Sequence, residues 1–181
     1  MGLSPLQNGE QTVSEMSLAT EIRVFRAKES QIEVAYAIVK EYYEAAAVVA
    51  REDVDEFARE YFADSGGVWL AEDEGVLVGC IALRAVRGRP VCGEIKRLYV
   101  RQSHRGQGLA DKLLDALESC AREFGYEWLY LDTAADMKAA ARFYEKKGFE
   151  RCERYNHNPQ AAIFMRKRLG CLRSVSTDAR R

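Results

Sequence analysis

Arg105-Gly106-Gln107-Gly108-Leu109-Ala110 joins two stretches of different period. Before it, Cys92 to Arg101 alternates like a strand; after it, Leu109 to Phe124 repeats Leu109, Leu113, Leu117, Cys120 and Phe124 at helical spacing and closes on Gly125 as C′. Gly106 and Gly108 lack a Cβ, so successive backbone N–H groups can converge on an oxygen-rich ligand. The helix that follows aims its unpaired N–H groups and positive dipole end at the same place, and Arg105 adds a cation. That chemistry suits a pyrophosphate. The dinucleotide fingerprint fails, because its third glycine falls on Asp111, and the P-loop fails for want of Gly-Lys-Ser/Thr. The six residues alone also fit a glycine turn that merely starts a helix.

Working outward, Glu21 to Arg26 alternates as a strand. A helix is expected from an N-cap at Ser30 to about Arg51, and a second after Asp53, with Val54, Phe57, Ala58, Tyr61 and Phe62 on one stripe. Val68–Glu72 and Val76–Val86 read as strands around the Asp73-Glu74-Gly75 turn. Trp128–Thr133 reads as a strand and Met137–Lys147 as a helix closed by Gly148. Phe149–Tyr155 and Ala161–Arg168 form a final pair around Asn156-His-Asn-Pro159. The order β-α-α-β-β-β-α-β-α-β-β predicts an α/β fold with a mixed sheet.

Composition narrows the function. The chain of 181 residues matches one domain at roughly 150 residues per domain. It is 48% apolar and 30% charged, enough for a buried core. Residues 1–20 and 170–181 are polar and aperiodic and are expected to be disordered tails around a domain over 21–169. A net charge of −1 makes no electrostatic case for nucleic acid or a membrane surface. No run of about 18 apolar residues is present, so a soluble, cytoplasmic protein is expected. Five widely spaced cysteines and two histidines suggest reduced thiols rather than a disulfide framework or zinc site, so no metal is expected.

Glu94-Ile-Lys-Arg-Leu-Tyr-Val100, Arg105-Gly-Gln-Gly-Leu-Ala110 and Ala140-Ala-Arg-Phe-Tyr-Glu-Lys-Lys-Gly-Phe149, in that order, resemble the GNAT acetyltransferase superfamily. Arg105, Gly108 and Ala110 match its Arg/Gln-x-x-Gly-x-Gly/Ala motif, and Phe143, Tyr144, Lys146, Gly148 and Phe149 match a later one. The resemblance implies the GNAT acyl-CoA N-acyltransferase fold, with helices flanking a mixed central β-sheet. It implies acetyl-CoA as co-substrate and a primary amine of a small molecule or peptide as acceptor, and it allows a homodimer. The implied cofactor-binding set is Leu98, Tyr99, Val100, Arg105, Gly106, Gln107, Gly108, Leu109, Ala110 and Tyr144. A bulge near Leu98–Val100 would offer a backbone N–H to the thioester carbonyl, and that backbone would pair with the pantetheine arm. One departure stands out: Met137 occupies the place where members often carry an asparagine.

The implied chemistry needs a base and an acid. A free amine with a reference pKa near 10.4 is protonated at neutral pH and must lose a proton to attack. Glu94 is the expected catalytic base, its pKa raised by partial desolvation; a salt bridge to Lys96 or Arg97 is the competing reading. Tyr144 is the expected acid for the departing thiolate, against a plain core aromatic. Acidic residues outnumber basic ones between Gln31 and Asp64, which fits the solvated face of two helices or a draw on a cationic acceptor, whereas Arg151, Arg154 and His157 could hold a carboxylate, so no acceptor is named. A non-catalytic acyl-CoA-binding module of the same fold is the rival function.

Overall fold

The computed structural model describes residues 21–47, 49 and 52–170. The two expected tails, Gly170 apart, and Cys171 lie outside the described residues. Seven strands form one sheet: β1 (Arg23–Arg26), β2 (Gly67–Asp73), β3 (Val76–Val86), β4 (Arg89–Val100), β5 (Trp128–Thr133), β6 (Glu150–Arg151) and β7 (Ile163–Arg168). Their order is β1-β2-β3-β4-β5-β7-β6, with β4–β5 parallel and every other neighbour antiparallel. The helices are α1 (Ile32–Ala45), α2 (Val54–Tyr61), α3 (Leu109–Glu123) and α4 (Lys138–Lys146).

The central strands bury both faces, so alternate side chains enter different cores. Cys80 and Ala82 of β3 join Ile38, Val39, Phe57 and Tyr61 under α1 and α2. Ile81 and Leu83 join Leu113, Leu117, Tyr144 and Phe149 under α3 and α4. Side-chain chemistry sets several ends. Asp53 accepts from Glu56 N at 2.8 Å and Glu56 returns a bond to Asp53 N, a capping box that starts α2. Glu74 and Gly75 both have positive φ, the turn a two-residue hairpin favours.

Three expectations need correction. Ser30 does not cap α1: it sits in a 3-10 turn over Glu29–Gln31, where Gln31 accepts from Lys28 N. The first helix ends at Ala45 rather than near Arg51, and Ala47 turns left-handed at φ 49°. The strand expected over 149–155 pairs only at Glu150–Arg151. After Cys152 the chain leaves the ladder, held by bonds from Asn158 N to Asn156 Oδ1 and from Gln160 N to Asn158 Oδ1.

Candidate functional site

The loop from β4 to α3 fits an anion. Gly106 and Gly108 have φ of 77° and 74°, and a Cβ at either would meet no atom within 4 Å. Gly108 is the N-cap of α3 and offers no side-chain cap, so the helix's first N–H groups stay open to a ligand. Arg105 donates from Nε to the Val100 carbonyl at 2.9 Å, tying the loop to the end of β4. Leu109 is core, so only its backbone can serve a ligand, and Gln107 donates to Ser103 O at 3.4 Å.

Upstream, β4 loses its partner. It pairs with β5 only over Cys92–Glu94, and a cleft of about 860 Å³ opens there, lined by Leu98 from β4, Leu131 and Asp132 from β5, and Met137, Ala140 and Tyr144 at α4. On the β3 side Lys96 pairs with Ala82 and Tyr99 with Cys80, so Arg97 and Leu98 stand opposite the single residue Ile81. That is a bulge, and Arg97 carries its strain at φ 57°. The bulge thus sits at Arg97–Leu98 rather than at Leu98–Val100. Tyr99 and Val100 are back in register with Cys80 and Gly79 and do not line the cleft.

Glu94 and Tyr144 line the same cleft. Glu94 is 3% exposed and accepts from Arg84 Nε at 2.7 Å, Tyr155 Oη at 2.8 Å and Asn156 Nδ2 at 2.9 Å, with Lys96 Nζ 3.2 Å away. Burial pushes its pKa up, but the charges of Lys96 and Arg84 and the hydrogen bonds from Arg84 and Tyr155 outweigh it and hold the carboxyl below its usual range. The expected raised pKa is therefore reversed. Asp132 behaves alike: burial opposes it, and Lys96, Asn156 and Asn158 bring its pKa down. Tyr144 packs edge-on against Phe143 and Phe149, each 5.2 Å between centroids, and burial raises its phenol.

Three carboxylates of the expected acidic wall form ion pairs, while Glu56, which caps α2 with Asp53, also lines the cleft. Glu41 binds Arg101, Glu52 binds Arg97, and Glu60 binds Arg84 and Arg87. Of the three basic groups in the last hairpin, only His157 lines the cleft; Arg154 donates to Asn158 O and Ala161 O, and Arg151 faces Glu145. Among the described residues no His/Cys/Asp/Glu group could hold a metal, and no helix is long and apolar enough to cross a membrane.

Residues 32–149, more than half of the chain, match the family model described as Acetyltransferase (GNAT) family. The chain belongs to this family. An uncharacterised N-acetyltransferase of Schizosaccharomyces pombe is 38% identical over 110 residues, covering 60% of this chain and 67% of that protein. A probable N-acetyltransferase family 8 member of Mus musculus is 32% identical over 107 residues, covering 58% and 47%. The chain thus spans about half to two thirds of the length of these relatives. The structure of a putative acetyltransferase from Salmonella typhimurium with its cofactor acetyl-CoA superposes with a TM-score of 0.65 at 21% identity, covering 88% of this chain and 99% of that one.

On this GNAT fold, sequence reasoning missed Arg84, Asp132, Tyr155, Asn156 and Asn158. Arg84, Tyr155 and Asn156 reach Glu94 only because β3 and the loop before β7 converge on it, and Asn156 also donates to Asp132 of β5. A local signal existed for the asparagines, since Asn156-His-Asn-Pro is richer in side-chain amides than a reversal requires.

Proposed function

We propose that the chain transfers an acetyl group directly from acetyl-CoA to a primary amine of a small molecule or peptide, in the cytoplasm. The observation that carries the reading is the cleft between β4 and β5. It holds Tyr144 and Glu94 on one cavity and lies upstream of an open glycine loop at the N-terminus of α3. In this reading the loop's backbone and Arg105 hold the pyrophosphate, and the free edge of β4 beyond Glu94 receives the pantetheine arm as an added strand would. The Arg97–Leu98 backbone faces the thioester carbonyl and stabilises its developing negative charge.

The low pKa of Glu94 sets the timing of proton transfer. A carboxylate held below its usual range is too weak a base to strip a free ammonium group. It remains ionised at neutral pH and accepts a hydrogen bond from the neutral amine, directly or through water. As the C–N bond forms, the nitrogen becomes cationic and far more acidic, and Glu94 then takes its proton. Tyr144, protonated across the neutral range, donates a hydrogen bond to the departing sulfur. Its raised pKa opposes full transfer to a thiolate whose ordinary value is near 8.5. Orientation of two reactants in one cavity supplies much of the remaining acceleration.

Release of free thiol from acetyl-CoA, followed against a panel of amines, tests the proposal. Amine-dependent release supports it. Tight acetyl-CoA binding without release under any amine would instead make the chain a non-catalytic acyl-CoA-binding module.

A further inference from the structure

The bulge in β4 is held by a side-chain staple that the acetyl-transfer chemistry itself does not call for. Arg97 is not glycine, yet its backbone is left-handed at φ 57°, a conformation that crowds its Cβ against the chain. Something must hold it there. Its guanidinium donates to Glu52 Oε1 from Nη2 at 2.9 Å and from Nε at 3.3 Å, and stacks 4.9 Å from the centroid of Tyr43. Both partners are shielded, with side-chain exposures of 16% and 11%. Glu52 is fixed in turn: Tyr43 Oη donates to Oε1 at 2.5 Å, and Tyr36 Oη donates to its carbonyl at 2.8 Å. Glu52 also directly precedes the Asp53 cap of α2.

We propose that Glu52 and Arg97 are positioning residues whose ion pair holds the β4 bulge in its left-handed form, coupling the α1–α2 wall of the cleft to the backbone that meets the thioester carbonyl. The inference rests on the acetyl-transfer reading. Without the ion pair, residue 97 relaxes toward the extended region, Arg97 and Leu98 slide back toward the ladder, and the N–H aimed at the carbonyl turns away. The loss falls on the transition state, where the oxygen is charged, more than on substrate binding.

A cycle of variants tests this by separating the anchor from the strain. Glu52→Gln lowers kcat about tenfold or more, with the KM for acetyl-CoA nearly unchanged. Arg97→Gly retains more activity than Arg97→Ala, because glycine reaches the left-handed region without a Cβ. In the Arg97→Gly background, Glu52→Gln has no further effect on kcat, since nothing remains for it to hold. Should Glu52→Gln fail to fold, Tyr43→Phe removes only the hydroxyl that orients Glu52, and lowers kcat in the same direction by less. Equal activity of the glycine and alanine variants overturns the proposal. So does an undiminished effect of Glu52→Gln on Arg97→Gly, or a rise in amine KM with kcat unchanged, which would make Glu52 an acceptor-binding residue. Absence of turnover in the wild-type chain overturns the acetyl-transfer reading and this one with it, whereas wild-type turnover without the pattern overturns the positioning role alone.

Discussion

Gly108→Asp separates damage to a binding site from damage to the fold. Gly108 sits at φ 74° with no atom within 4 Å of a built Cβ, so the substitution meets left-handed strain but no clash. That strain costs about 1–2 kcal/mol for an ordinary residue, and Asp falls at the low end because it tolerates this region and favours a helix N-terminus. At roughly 2–4 °C per kcal/mol for a domain of this size, the free protein loses about 2–4 °C in Tm. Acetyl-CoA at a hundredfold excess over Kd adds about 2.7 kcal/mol to the native state, which is about 5–11 °C on the same scale. In Gly108→Asp the new carboxylate enters the space assigned to the pyrophosphate, and this ligand-induced shift disappears. Gly125→Asp is the matched control: φ is 81°, the surroundings are equally open, and the site is the opposite end of α3. It lowers Tm by at least as much, since Asp opposes the dipole there, yet it keeps the shift. Differential scanning fluorimetry with and without acetyl-CoA reads both. A full shift in Gly108→Asp would refute the cradle; loss of the shift in both variants would show an effect through the fold.

Other outcomes follow from the same geometry. Tyr144→Phe keeps the ring packing and loses only the hydroxyl, so kcat falls at least tenfold while the acetyl-CoA thermal shift is preserved, the loss of a hydrogen bond to a charged sulfur being worth about 1.5–3 kcal/mol. Glu94→Gln lowers the rate but leaves the ascending limb of kcat/KM against pH in place, because that limb belongs to the amine; a limb that vanishes would make Glu94 the group that deprotonates the ammonium. The folded pKa values of Glu94 and Asp132 lie below their unfolded ones. Their stabilisation is therefore fully present above the ordinary carboxylate range, from about pH 5 upward, and lost as pH falls through the lowered folded values. Tm against pH is flat from neutrality to about pH 5, then falls, more gently in Glu94→Gln. The Tyr61 hydroxyl is buried with no hydrogen-bond partner among the described residues, so Tyr61→Phe raises the urea midpoint or leaves it unchanged, removing a burden of about 1–3 kcal/mol; a lower midpoint would mean the hydroxyl is paired.

Much of the local chemistry was readable where neighbours in sequence settle the structure, although Ser30, a short-range signal too, falls in a 3-10 turn instead of capping α1. The capping pair Asp53 and Glu56, the Asp73-Glu74-Gly75 turn, and the glycines closing α3 and α4 are short-range devices, and β3 and β5 fall on the expected residues. The backbone of Arg105–Ala110 was legible for the same reason, since two left-handed glycines at the start of α3 are a short-range feature. The site's electrostatics were readable only in part. Lys96, the nearest cation in sequence and a salt-bridge partner in the competing reading of Glu94, is the largest influence that lowers the carboxyl. Arg84 across the β3–β4 ladder and Tyr155, some sixty residues away in sequence, complete the reversal. Burial alone argued for a raised pKa, and three-dimensional donors reversed it. The left-handed Arg97 was equally silent, since nothing local asks a non-glycine residue to adopt that backbone.

The charges of the cleft explain why acceptor choice cannot be read from composition. Three carboxylates on or beside α1 and α2 meet arginines of β3, β4 and the residue after it: Glu60 with Arg84, Glu52 with Arg97, and Glu41 with Arg101. Each pair joins a helix to the sheet it packs on. An acidic excess that looked available to a cationic acceptor thus serves to place the helices, and a neutralised pair attracts little from a distance. The groups nearest an acceptor include the Glu94 carboxylate, the polar groups of His157 and Gln160, the charges of Glu56 and Arg59, and the apolar floor of Leu98, Leu131 and Met137. Pairing of Glu41, Glu52 and Glu60 reduces what those carboxylates offer at long range, and leaves fit and hydrogen bonding at contact a larger share of the selection.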